Sequence, residues 1–366
     1  MMKFFSELWG WTVRCLSDNA GATNVSYASN DTLLESLVLH TLPDFGPHGE
    51  GITNTNFLFS ALKMKDKKFN QEGKRFEVIP GGLEFVNGIM KSNNSNFKWQ
   101  SHTADMSANL QDPDHRLRFD IMTFTGSITI NKKHEAMNKG RAMIKSWAKT
   151  QREQAEETIP NQFNSAFWDT SPDTTVEPES IPTLISATPT TGTIGGLSRS
   201  GNKHLQNGLY DTAITDIGSE AGISALTRQQ IRNAIGSGGK NCPDLGIMND
   251  NLYAGLSGYL ATLNRYRPDD DMAKLDFDTI RLGKMTLAPE NTNVMNSENT
   301  ITDGYIYLIN SNYLKFKVLE DGNFKWETQF ERVGQTLTKA LYFYVFCNLT
   351  TNLPRAHVVF TNVSTT

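Results

Sequence analysis

Cysteine is scarce in this chain. Three residues among 366, Cys15, Cys242 and Cys347, are too far apart and odd in number for a disulfide framework or a thiolate metal site, and a reducing compartment fits them. No apolar run approaches the roughly 18 residues a membrane span needs, and Glu7 and Arg14 interrupt the aromatic N-terminal stretch. Neither a signal peptide nor a membrane contact is expected. Internal repeats are absent, which disfavours a trimeric fibre built from repeated β units. Excess positive charge is also missing: 35 Lys and Arg against 39 Asp and Glu leave a formal charge of -4. Such a chain does not grip nucleic acid by counterion release, and a DNA partner would be enclosed rather than clasped.

Metal and nucleophile signatures are lacking too. The seven histidines are scattered, and His134-Glu135 is followed by Asn138 where a helical metalloprotease motif would place its second histidine. His48 and Glu50 have no partner nearby in sequence. Asp269, Asp270 and Asp271 lack the regular ligand spacing of a calcium loop and read as a solvated acidic turn. The stretch TTGTIGGLSRSGN has neither the P-loop spacing nor the Gly-x-Ser-x-Gly of a nucleophile elbow around Ser198 and Ser200. Its glycines suit an ordinary loop that needs positive φ. No enzyme and no cofactor is expected.

What is present is a 38% hydrophobic, 20% charged sequence long enough for two to three domains. Phe4, Leu8, Trp11 and Cys15 fall at helical spacing and suggest a short amphipathic helix that docks on something, with a frayed terminus as the alternative. Residues 18 to 60 are polar, with one helical patch capped by Asn30 or Asp31 and stopped near Pro43. They read as an arm. A compact apolar patch follows, then a strand over Arg75 to Pro80 ended by Gly81 and Gly82. Lys63, Lys65, Lys67 and Lys68 read as a charged turn between them, with a weak contact to enclosed DNA as the sharper alternative.

From about Asn87 to Arg116 few residues can build a core, and a loop this long is uncommon in a compact domain. Flanked by strands, it reads as a polar ribbon that leaves its own domain to pair with a neighbour. Phe97 and Trp99 on it are candidate interface anchors. A second strand signal runs from Leu117 to Ile130. Asn131 then caps a predicted helix over Lys132 to Ile159, with Met137, Gly140, Ile144, Trp147 or Ala148, Gln151 and Ala155 on one face. Pro160 should kink or interrupt it before Phe163, Phe167 and Trp168.

After the boundary TSPDTTVEPESIPT, strands and helices alternate: TLISAT as a strand, the glycine loop, the helix TRQQIRNAIGS, the strand PDLGIM, the helix NDNLYAGLSGYLATLNRY, a strand near KLDFDTI, then GYIYLINSNYLKFKVL. This predicts an inserted α/β domain over 182 to 325. The tail offers two strands expected to return to residues 117 to 130. The first has an apolar run, Leu341 to Phe346, suited to a strand covered on both faces.

The order of these parts resembles the major capsid proteins of tailed bacteriophages, with the HK-97-like fold. FLFSALKMKDKKFNQEGKRFEVIPGG is similar to the family's apolar patch and first strand, FDIMTFTGSITINKKHEAMNKGRAMIKSWAKTQREQAEETI to its strand and long helix, and GTIGGLSR to the loop that follows. CPDLGIMNDNLYAGLSGYL and YIYLINSNYLKFKV are similar to later strand and helix units. Pro160 departs from the pattern, and the first 30 residues match no part of it. The resemblance spans roughly residues 33 to 362. It implies an α+β fold: N-terminal arm (1 to 60), extended loop with the first peripheral-domain strands (61 to 131), spine helix and peripheral domain (132 to 181), axial domain (182 to 325) and return strands (326 to 366). It also implies a structural protein that assembles in hexamers and pentamers into an icosahedral head shell around double-stranded DNA, bound without sequence specificity. A portal protein, a scaffold and cement proteins would be its partners, in a virion assembled in the host cytoplasm. Phe4, Leu8, Trp11, Phe97 and Trp99 would then be intersubunit contacts. A tail component or an encapsulin-like shell is the alternative.

Overall fold

The structure, a computed structural model, describes Leu58, Leu62 and residues 76–90, 96–97, 99, 101–102, 114–133, 141–233, 242–262, 279–283, 285–290, 301–327, 330–334 and 337–365. The expectations placed on Phe4, Leu8, Trp11, Cys15, the patch after Asn30, Lys63 to Lys68, His134-Glu135 and Asp269 to Asp271 lie outside these residues.

In chain order the first strands are β1 (Phe76–Ile79), β2 (Glu84–Met90), β3 (Asp114–Asp120) and β4 (Met122–Asn131). Then come helix α1 (Arg141–Trp168), the single turn α2 (Ile181–Leu184), the short pair β5 (Thr193–Ile194) and β6 (Leu197–Ser198), and β7 (Gly208–Tyr210). Helix α3 (Glu220–Asn233), β8 (Leu245–Asn249), helix α4 (Asp250–Thr262), β9 (Ile280–Leu282), β10 (Met285–Glu290) and β11 (Ile306–Ile309) follow. The chain ends with β12 (Leu314–Leu319), β13 (Lys325–Trp326), β14 (Glu331–Arg332), β15 (Thr338–Thr351) and β16 (Val358–Phe360).

Two compact units share these elements. The smaller includes Ile128–Arg152 and Thr328–Leu341. Within it β14 pairs antiparallel with the start of β15, Glu331 opposite Ala340, and the Lys132 N–H donates to the Leu337 carbonyl at 3.1 Å. Asn131 caps as its position predicts: its Oδ1 accepts the Lys133 N–H at 2.9 Å. Ile128, Ile130, Ala340 and Leu341 are buried.

The larger unit comprises Pro43–Ser127, Glu153–Glu327 and Tyr342–Thr366. One sheet runs β1-β12-β15-β13, with β4 and β14 also pairing to β15. The first pair is parallel, Phe76 opposite Phe316, and β15 is antiparallel to both β12 and β13. A second sheet has the order β7-β16-β11-β8-β10-β9. Its side chains alternate between two hydrophobic cores. Leu245, Ile247, Ala288, Tyr307, Ile309 and Val359 enter the core that also holds Phe316, Phe343 and the end of α1. Met248, Leu287, Ile306, Leu308, Val358 and Phe360 enter the other, closed by Leu252, Leu256 and Leu260 of α4 and Leu226 of α3. The period of two in a strand makes one sheet the wall of both cores, and every residue of β8, β11 and β16 is buried.

Several expectations change. Residues 114 to 131 form two strands, not one, and they join different sheets: β3 pairs with β2 alone, β4 with β15. TLISAT is not a strand, because Ser180 accepts the Thr183 N–H at 3.3 Å while Thr183 answers with its hydroxyl, and this capping box starts α2. The tail strands part company: β15 stays with the first sheet, β16 enters the second between β7 and β11. Conversely β12, placed within the inserted domain on sequence, pairs with β1 and β15. The run Leu341 to Phe346 is covered on one face only. Leu341, Phe343 and Val345 are buried while Tyr342 is exposed and Tyr344 and Phe346 are half-buried, and both faces close only from Cys347 to Thr351.

Helix α1 runs through Pro160 for eight further residues. A proline inside a helix costs about 3 kcal/mol. The offset is the buried stripe Ile159, Phe163 and Phe167 at four-residue spacing, with Trp168 beside it. The Phe163 ring lies 4.7 Å from Phe124, 5.9 Å from Phe316 and 5.8 Å from Phe324. Each buried aromatic contributes on the order of 2–3 kcal/mol by area alone, so the stripe outweighs the break. Phe163→Ala is expected to cost about 3–5 kcal/mol in urea unfolding. A loss below about 1 kcal/mol would show that the aromatic cluster does not hold the helix past Pro160.

Candidate functional site: the hairpin and the loop that seats it

Strands β2 and β3 form an antiparallel ribbon in strict register, Glu84 opposite Asp120, Phe85 opposite Phe119, Asn87 opposite Leu117 and Ile89 opposite His115. Phe85, Asn87, Ile89, Leu117 and Phe119 are buried on one face, whereas Val86, Gly88, Arg116 and Arg118 are exposed on the other. Beyond the paired strands Phe97 is 86% and Trp99 104% exposed. The ribbon therefore starts later than the sequence suggested, since residues 87 to 90 and 114 to 116 belong to strands with a core face.

The base of the ribbon is held by polar tethers. Lys317 Nζ on β12 donates to Asn87 Oδ1 at 2.7 Å, and Asn87 Nδ2 donates to the Thr351 carbonyl at 3.2 Å. Lys317 is 5% exposed; burial lowers its pKa, and Glu77, 3.8 Å away, works against that shift. Further along, Thr351 Oγ1 and His357 Nε2 lie 3.2 Å apart, and His357 Nδ1 accepts the Asn310 N–H at 3.1 Å. Complete burial pushes the His357 imidazole down to about 3, so it stays neutral.

The glycine loop is the other half of the seat. Gly195 sits at φ 52° and its carbonyl accepts the Arg118 N–H at 3.1 Å. A Cβ there would stand 2.8 Å from Leu117 Cβ, so only glycine lets the two backbones approach this closely. Arg199, between the exposed Ser198 and Ser200, is 1% exposed. Its Nη1 donates to Asn207 Oδ1 at 3.0 Å, and its Nη2 to the Thr183 and Leu184 carbonyls at 2.5 and 3.1 Å. These are the last carbonyls of α2, so the guanidinium ties the loop to the turn before it. Burial lowers the Arg199 pKa and raises that of Glu179, each partly opposed by the charge of the other.

Leu58 is pinned nearby in the core. Its N–H donates to Glu290 Oε2 at 3.2 Å, and Asn164 Nδ2 donates to Oε1 at 3.0 Å. Desolvation raises Glu290 to about 8, and these donors only partly offset it. The Trp168 indole also lowers the Glu290 pKa, while its Nε1 lies outside hydrogen-bond geometry.

Of the predicted site residues, Phe97 and Trp99 stand exposed beyond the ribbon, and Ser198 Oγ is engaged by the Ser200 N–H at 3.3 Å. Among the described residues no three His, Cys, Asp or Glu side chains converge, and no helix is long and apolar enough to cross a membrane. Sequence reasoning missed Arg199, Asn87, Lys317 and Glu290. Only Arg199 left a signal, as the lone charge in a glycine and serine loop.

No family model matches the sequence, and neither does any curated protein. Solved structures do match. A chain of the cyanophage A-1(L) capsid asymmetric unit aligns over 79% of this chain and 90% of its own, with 11% identity and a TM-score of 0.59. The capsid of Myoviridae phage XM1 aligns over 78% and 89%, with 11% identity and a TM-score of 0.50. The capsid of a native GTA particle computed with C5 symmetry aligns over 80% and 89%, also with 11% identity and a TM-score of 0.50. The chain thus has a mixed helix and sheet fold of the phage capsid type.

Two outcomes test the seat. Gly195→Ala is expected to cost about 1–3 kcal/mol and to speed amide exchange at Arg118, because the new Cβ meets backbone. For Glu290 the folded pKa is raised, so its contribution to stability is complete below the usual carboxylate range and is lost as pH rises toward about 8. The slope is at most about 1.4 kcal/mol per pH unit. Glu290→Gln should flatten urea stability between about pH 5 and 8.

Proposed function

We propose that this chain is the major capsid protein of a tailed bacteriophage. Copies assemble in hexamers and pentamers into an icosahedral head shell that encloses double-stranded DNA. The observation that carries the reading is the alignment with the cyanophage A-1(L) capsid chain, which extends over 90% of that chain and leaves no large part of it unmatched. A shell role also explains the ribbon. A hairpin that is two-stranded among the described residues, with Phe97 and Trp99 exposed, presents apolar surface that a neighbouring copy would cover.

In this reading α1 is the spine helix, and the hairpin with residues 91 to 113 is the extended loop. The second sheet with α3 and α4 is the axial domain, into which the chain sends β16 and from which it withdraws β12. Residues 1 to 60 are the arm. Phe4, Leu8, Trp11, Phe97 and Trp99 are intersubunit contacts. The role is structural rather than enzymatic. A charge of -4 suits an inner face that holds DNA without adhering to it or reading its sequence. Portal, scaffold and cement proteins are the partners of such a shell, in the host cytoplasm during assembly and in the virion afterwards. Modest affinity at each contact suffices, because closed symmetry multiplies contacts.

Expression of the chain alone, followed by sedimentation and electron microscopy, should yield large hollow particles. Deletion of residues 90 to 112 should leave a folded, soluble protein that no longer closes into shells. A monomer at high concentration whose residues 91 to 113 are tightly protected from exchange would overturn the reading.

A further inference from the structure

The tethers of the hairpin differ in kind. Asn87 with Lys317 and Thr351 uses an amide, an amine and a backbone carbonyl, and Arg118 with Gly195 uses backbone alone. The outermost tether is different. His115 Nδ1 on β3 lies 3.2 Å from His204 Nε2 in the 3-10 turn Lys203–Leu205, with ring centroids 5.2 Å apart. His115 is opposite Ile89, two residues further from the base than the Asn87 and Leu117 pair. His204 is 8% exposed and His115 half-buried.

We infer that the His115–His204 contact is a proton-operated clasp that releases the outer part of the hairpin when both imidazoles are charged. One N–H and one lone pair make the bridge, so it survives with no extra proton or with one. With two, N–H faces N–H across 3.2 Å and two positive charges meet in a partly desolvated site. Stability from the clasp is thus present while at least one ring is neutral and is lost on the acid side, where both are protonated. Asp114 and Arg116 flank His115, Lys203 precedes His204, and Arg355 lies on the turn Pro354–Ala356 that packs against the His204 turn. Lys203 and Arg355 add positive charge at the His204 turn, which favours opening. His357, which caps the latter turn, stays neutral throughout. The hinge is the Gly195–Arg118 contact, which titration does not touch. The clasp stands on geometry alone; its consequence, that acid frees the extended loop to change neighbours, rests on the capsid reading.

The test is hydrogen exchange by mass spectrometry on the unassembled full chain at pH 7.0 and 5.0, corrected for intrinsic rates. Glu290 makes the fold more stable at the lower pH, the opposite sign to the loss expected at the hairpin. Peptides over 84–90 and 114–120 should lose at least about tenfold in protection at the lower pH, while the β8 peptide 245–249 keeps its own. His204→Gln and His115→Gln should abolish that pH dependence, and Glu179→Gln, which removes another carboxyl with a raised pKa, should retain it. Equal protection of the wild-type hairpin at both pH values would overturn the clasp, as would pH dependence surviving in both glutamine variants. If the variants lose β8 protection at pH 7.0, imidazole NMR titration of the wild type decides: two mutually dependent titrations support the clasp, two independent ones sink it. Failure to form shells at any pH would refute the capsid reading and leave these results unaffected.

Discussion

The second sheet is the constraint on which the larger unit depends. Its strands carry apolar side chains on both faces, and each face is sealed by a different core. A sheet so placed tolerates neither a register slip nor a polar face, because a shift by one residue would exchange the two sets of side chains. Chain connectivity follows from this wall. β8, β10 and β11 arrive from one stretch of sequence, while β7 and β16 arrive from before and after it, so residues 150 apart in the chain become neighbours.

The hairpin obeys a different economy. Its core face is short, five buried residues on two strands, and a two-stranded ribbon is marginal by itself. Polar tethers complete the seat. The buried Lys317 ties Asn87 to the first sheet, and Gly195 brings a backbone carbonyl onto β3 where any side chain would collide. Arg199 holds that loop from within, with its guanidinium shared between a side-chain amide and two helix-end carbonyls. Past these tethers Phe97 and Trp99 are exposed.

How legible was this? The helix was readable because amphipathic period survives in composition, and Ala155, on the predicted face, packs on the core that Ile159, Phe163 and Phe167 enter at the same spacing. That the helix is not interrupted at Pro160 was not legible, because local backbone cost is visible in sequence and the compensating aromatic packing is not. TLISAT was misread for the reverse reason: β-branched residues signal a strand, while the capping pair Ser180 and Thr183 acts locally and wins. In β15 a continuous apolar run implied two covered faces, yet Tyr342 is exposed and Phe346 lies over Gly322.

By itself the sequence determined most element types among the described residues, the polar ribbon with its two aromatics and the succession of parts that resembles phage capsid proteins, because period, caps and turn residues act over a few neighbours. Only the tertiary structure decided which strand joins which sheet, that Arg199, Lys317 and Glu290 are interior, and that two histidines 89 positions apart meet. Pairing and burial depend on surfaces brought together across hundreds of residues, and no local pattern encodes which charge will find itself out of water.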